Sequence, residues 1–112
     1  MDVTFRTRNL EKCFFSKQKA IKEWGPAAGQ KVAQRFKEIQ AAPSLKILGM
    51  LPHLHLHPLK GKRKGQYAIT VIGLLRIILE PKHIPMPKLE TSGIDLSKVT
   101  HITILEVVDY HD

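Results

Sequence analysis

A chain of 112 residues, 43% of them hydrophobic, has enough apolar material for one folded core and too little length for two, so a single domain over residues 1–112 is expected. Its 18 Lys and Arg against 10 Asp and Glu give a net charge of +8, which favours an anionic partner, nucleic acid first and an acidic protein second. One cysteine, Cys13, excludes an internal disulfide or a cysteine metal site, and no run approaches the ~20 apolar residues that span a bilayer, so a cytoplasmic protein without membrane contact is expected.

Val3 and Phe5 alternate with polar neighbours and suggest a short first strand. From Asn9, a plausible N-cap, Leu10, Phe14, Ile21 and Trp24 recur at helical spacing, which predicts one helix ended by Gly25-Pro26. Pro26 suits the first position of a second helix, whose stripe of Ala28, Val32, Phe36 and Ile39 runs until Ala42-Pro43 stops it. Two apolar stripes need a partner surface.

Leu51–Pro58 alternates Leu54 and Leu56 with His53, His55 and His57, so an extended segment puts three imidazoles on one side. No carboxylate or thiolate stands nearby, and a solvated histidine face is the better reading than a metal site. Next comes a basic loop. Met1–Pro43 holds nine basic and four acidic residues, Ser44–Lys64 five and none, and Gly65–Asp112 four and six; Lys60, Lys62, Arg63 and Lys64 therefore form an unneutralised cluster suited to phosphate.

Gln66–Ile72 and Leu75–Glu80 read as two strands joined through Gly73-Leu74, where Gly permits the positive φ of a type II′ turn. Alternation puts Leu75, Ile77 and Leu79 on one face, for the helices to cover, and Arg76 on the other. Residues 81–100, with three prolines and few large apolar side chains, suggest a long connecting loop or insertion that the fold can do without. Ile102–Val108 reads as a last strand, followed by Asp109-Tyr110-His111, with Asp109 and His111 on one face if the extension continues.

RNA cleavage without a metal needs a base for the 2′-hydroxyl, cations for the phosphorane charge and an acid for the 5′-oxygen. Arg76 binds phosphate bidentately and keeps its charge, which suits transition-state stabilisation. Lys60 offers a second cation or a proton carrier, His111 an imidazole near neutral pKa, Asp109 a carboxylate to assist it, and Tyr110 a surface for stacking on a base. Lys60, Asp109 and His111 are three candidates for the base.

The residues HPLKG at 57–61, the GxxxITV pattern at 65–71, Arg76-Ile77 and the Asp109-Tyr110-His111 triplet together resemble the HigB branch of the RelE-like toxin ribonucleases. The resemblance implies an α+β fold with two N-terminal helices on a small, mainly antiparallel twisted sheet. It implies cleavage of mRNA on the ribosome by attack of the 2′-hydroxyl, a 2′,3′-cyclic phosphate product, no metal or other cofactor, and a cognate HigA-like antitoxin with a helix-turn-helix domain. In that reading Lys60, Arg76, Asp109, Tyr110 and His111 are catalytic, and His57, Lys62, Arg63 and Lys64 bind RNA. Charge and aromatics alone also fit a non-catalytic basic RNA- or ribosome-binding module, or an interaction domain for an acidic protein.

Overall fold

The computed structural model describes residues 1–110. The first strand, β1 (Asp2–Phe5), leads into a helical layer of α1 (Arg8–Phe15), α2 (Lys17–Trp24) and α3 (Pro26–Ala41). The single helix expected over the first two of these is broken. Ser16 is extended (φ −131°, ψ 115°) and its Oγ accepts from the Lys19 N–H at 3.3 Å, so it ends α1 and caps α2. Thr7, not Asn9, caps α1, its Oγ1 accepting from the Leu10 N–H at 3.1 Å. Gly25, with φ of 87°, turns the chain, and Pro26 opens α3 as its composition requires. Helices α2 and α3 then pack so closely at Gly29 that an added Cβ would stand 3.1 Å from the Ala20 carbonyl carbon. A short α4 (Leu45–Leu48) follows, capped by Ser44.

The sheet has the order β1-β5-β4-β3-β2, with β2 (His57–Pro58), β3 (Tyr67–Ile72), β4 (Leu75–Pro81) and β5 (His101–Asp109). The pairs β2–β3, β3–β4 and β4–β5 are antiparallel; β1–β5 is parallel. Gly73 takes the expected positive φ, 53°, at the hairpin tip. Ile69, Ile77, Leu79, Ile102 and Ile104 are fully buried against Val32, Phe36 and Ile39 of α3, so alternation works as the sequence indicates. Below the sheet lies a second, smaller cluster of Leu59, Ala68, Ile78 and Leu105. Among the described residues, no helix is long and apolar enough to cross a membrane.

The connection over 81–100 is not the spacer expected of it. Val99 is fully buried, Ile94 and Leu96 pack against the main core, and the Leu45 N–H donates to the Val99 carbonyl at 2.9 Å. Nε2 of His83 accepts from the backbone N–H groups of Thr100 (3.1 Å) and His101 (3.3 Å), tying the start of the loop to its end. Three apolar residues set irregularly in a polar stretch give no periodicity, yet each finds the core.

Arg35, 9% exposed, is the one charged residue among those buried in the helical layer. Its Nε donates to the Thr70 carbonyl at 3.0 Å and its Nη1 to Glu38 Oε1 at 2.7 Å. Thr70 lies next to a bulge, since Thr70 pairs with Arg76 while Ile72 pairs with Leu75, leaving Val71 extra. His53 reaches the other Glu38 oxygen. Burial alone would raise the Glu38 pKa, but the hydrogen bonds and charges of Arg35 and His53 outweigh it and hold the carboxyl below its ordinary value. A depressed native pKa means that the unfolded chain takes up the proton first on acidification, so the stabilisation is present above ~4.3 and is lost as pH falls through the native pKa. Urea unfolding from pH 6 to pH 3 should therefore show a steeper loss of midpoint in the wild type than in Glu38→Gln; parallel curves would remove Glu38 from the acid response.

Candidate functional site

Strand β4 sits in the middle of the sheet, and Arg76 rises from its face away from the helices, opposite Thr70 of β3 and Val108 of β5. Nη1 donates to the Gly73 carbonyl at 2.7 Å and to the Leu75 carbonyl at 3.2 Å, which draws the guanidinium towards the hairpin turn. Nε is buried and has no partner among the described residues. Arg76 shares a recess of about 470 Å³ with His55, Leu56, His57 and Thr70. A fixed cation in an open polar recess suits a phosphodiester.

The histidine stretch gets there by a turn, not by extension. Pro52–Leu54 forms a 3₁₀ turn that ends on His55 in the left-handed region, φ 47°. This conformation is uncommon for a residue with a Cβ, though less so for His than for bulky types. The turn scatters the three imidazoles: His53 goes to Glu38 on α3, while His55 and His57 line the Arg76 recess. The His55 carbonyl lies 2.6 Å from Nδ1 of His57. A carbonyl only accepts, so Nδ1 is the donor in this contact, which fixes the orientation of the ring. The HPLKG pattern placed His57 among the site residues, but the arrangement that orients its ring depends on a left-handed residue two positions earlier, which the sequence does not announce.

The basic cluster divides. Leu59 N–H to Gln66 carbonyl (2.9 Å) and Gln66 N–H to Arg63 carbonyl (2.9 Å) close the loop, with Lys60, Lys62 and Lys64 exposed on it. Arg63 turns inward instead: it donates to Gln66 Oε1 at 3.1 Å, pairs with Glu106 at 3.3 Å, and lies 5.4 Å from the centre of the Tyr110 ring. Tyr110 is correspondingly not a loose polar residue. Its N–H donates to the Leu74 carbonyl at 3.1 Å, and it packs on the smaller cluster beside Ile78 and Leu105.

The structure separates Asp109 from Arg76. Asp109 pairs with Leu75 and lines a hollow with Glu23, Trp24, Ala28 and Ile72, on the side of the sheet that the helices cover. One residue of alternation is the cause, because Val108 already occupies the position opposite Arg76. Strand β5 stops at Asp109, and His111 lies outside the described residues.

No protein-family model matches the sequence, and no curated protein matches it. Solved structures do. The YoeB/ParE toxin from Agrobacterium tumefaciens superposes with a TM-score of 0.55 over 99% of this chain and 100% of its own, at 10% identity. The YoeB–YefM complex from Staphylococcus aureus gives 0.56 over 100% and 98%, at 14% identity. The fold is that of the YoeB and ParE toxins. The α+β arrangement expected from the sequence, helices on a mainly antiparallel sheet, is therefore the YoeB/ParE one, and the identities make this a likeness of fold. On this YoeB/ParE-type scaffold Arg76 projects from a central strand, whose two neighbours limit its movement.

Proposed function

We infer that the protein is the toxin of a type II toxin–antitoxin pair, of the HigB-like kind, and that it cleaves mRNA on the ribosome without a metal. The observation that carries this reading is the placement of Arg76 in a recess shared with His57, on the sheet face away from the helices. The HPLKG and Asp-Tyr-His motifs and the YoeB/ParE fold support it.

In the proposed reaction the 2′-oxygen attacks the adjacent phosphorus and the 5′-oxygen leaves, giving a 2′,3′-cyclic phosphate and a 5′-hydroxyl. Arg76 stabilises the charge that develops on the non-bridging oxygens. Lys60 or His111 takes the 2′-hydroxyl proton, and His57, its ring fixed by the His55 carbonyl, contacts the RNA. His111 or Lys60 supplies the proton to the leaving oxygen, and Tyr110, steadied by Arg63, stacks on a base. Asp109 has no part in this scheme because it faces the helices. The partners are mRNA on the ribosome and a cognate antitoxin.

The test is to incubate purified protein with programmed ribosomes and with the same message free in solution, and to map the ends. Cleavage on the ribosome with cyclic phosphate ends supports the reading, while binding without cleavage returns the protein to the class of non-catalytic RNA-binding modules. Exposed Lys62 and Lys64 should carry part of the affinity. Replacing both by Ala should reduce the slope of log affinity against log salt by about 0.7–0.9 for each phosphate left unneutralised. An unchanged slope would take this loop out of the interface.

A further inference from the structure

Arg76 does not surround a phosphate alone. Its Nη1 is committed to the Gly73 and Leu75 carbonyls and its Nε is buried, which leaves Nη2 as the guanidinium nitrogen open to a ligand. A phosphodiester shares its charge between two non-bridging oxygens, so a second donor is needed on the same face of the sheet. Thr70 stands there. It pairs with Arg76 across β3 and β4, so the two side chains leave the sheet on one side with Cβ atoms ~4.5–5.5 Å apart. Both line the recess of about 470 Å³. Ile69 and Val71 on either side are buried in the main core, whereas Thr70 is half-buried and its hydroxyl has no hydrogen bond among the described residues.

Strand propensity alone accounts for a threonine on an open sheet face. It does not account for the way this one is held. The Thr70 carbonyl accepts from Nε of the buried Arg35 at 3.0 Å, so α3 pins the residue from the far side of the sheet. Val71, the extra residue of the bulge, follows directly, and bulges re-aim side chains beside functional sites. Branching at Cβ stiffens χ1, so a fixed backbone also fixes the hydroxyl. The lining of the recess includes no carboxylate: it offers a ligand one cation, one hydroxyl and the imidazoles of His55 and His57, which suits an anion. We propose that Thr70 is a second phosphate-binding residue, its hydroxyl donating to one non-bridging oxygen of the phosphodiester while Nη2 of Arg76 takes the other. This rests on the reading of the recess as the site of RNA cleavage, and Arg35 is the positioning residue behind it.

The probe is dimethyl phosphate, the simplest phosphodiester, titrated at constant ionic strength into the nitrogen-15-labelled full chain and followed by NMR. The Thr70 amide and Arg76 Nε–H signals should shift together and saturate. Thr70→Val keeps the branched shape and loses the hydroxyl, and should weaken binding about tenfold, as the loss of a hydrogen bond to a charged group does, while Thr70→Ser should stay within about twofold of the wild type. Both variants should still unfold cooperatively in denaturant, because the Thr70 carbonyl keeps its bond to Arg35. Wild-type binding by Thr70→Val, a Thr70 signal that the probe leaves in place, or an equal loss in the Val and Ser variants overturns the proposal. Cleavage of ribosome-bound message carrying an Rp or Sp phosphorothioate at the cut linkage gives a second readout. Thr70→Val should slow the isomer that keeps oxygen opposite Thr70 about tenfold and the other little, since sulfur is already the poorer acceptor. Equal slowing of both isomers overturns the contact. Binding through Thr70 without any cleavage leaves the phosphate site standing and removes the toxin reading; cleavage by Thr70→Val at the wild-type rate does the reverse.

Discussion

Arg76→Ala should lower single-turnover cleavage of ribosome-bound message about a hundred- to a thousandfold, the usual effect of removing one preorganised group, ~2.7–4 kcal/mol, that meets charge developing in the transition state. The guanidinium is preorganised here by its strand and by the Gly73 and Leu75 carbonyls, so little ordering is left for the moment of reaction. Stability should change much less. Truncation frees two carbonyls near the hairpin tip, where water replaces the lost donor, and ordinary hydrogen bonds contribute ~0.5–1.5 kcal/mol net. Arg76→Lys should recover only part of the rate, because an ammonium keeps the charge and loses the planar fork. Folded Arg76→Ala cleaving at the wild-type rate would end the catalytic assignment and leave an RNA-binding module.

The largest loss of stability is expected from Arg35→Ala. Arg35 connects α3 to the Thr70 carbonyl beside the bulge and to Glu38, and its side chain is 11% exposed against 25% for Glu38. Removing one partner of a buried pair costs ~3–5 kcal/mol, because the other is left without compensation. The partial exposure of Glu38 and its contact with His53 place the expected loss near ~3 kcal/mol. Denaturant unfolding measures it directly. The double variant Arg35→Met/Glu38→Gln should recover most of the loss, since it removes the stranded charge along with its partner; a double variant as unstable as Arg35→Ala would place the cost in packing instead. Thr70 also walls the Arg76 recess, so the helical layer and the candidate site share one fixed point.

Much of the architecture was written in the side-chain periods. Leu75, Ile77 and Leu79 against Arg76 fix which face of β4 meets the helices, and Gly25-Pro26 and Gly73-Leu74 fix two reversals. The break at Ser16 escaped because Leu10, Phe14, Ile21 and Trp24 keep helical spacing across it, and a single serine looks the same whether it sits on a polar helix face or caps a new helix. Leu51–Pro58 misled for a related reason: alternation of Leu and His describes a strand only if each residue is extended, and His55 is not. At the site, Arg76 follows from the pleat. The inward turn of Arg63 does not, because it depends on Glu106 and Tyr110, more than forty residues further along the chain.

The parallel pairing of β1 with β5 joins Asp2 to His101 and Phe5 to Ile104. These pairings span almost the whole chain, and such topology slows folding because the entropy of closing a long loop is given up before the strands meet. Strand β5 also lies between β1 and β4, so neither can complete its ladder until residues near 109 are available. During synthesis at ~5–20 residues per second, the helices and the β3–β4 hairpin exist for seconds with one edge of β4 bare. The flank of Arg76 that Val108 will occupy is then unbuilt. On the toxin reading proposed above, Arg76 would thus gain its second flank, and with it its fixed position, only once strand β5 has been made.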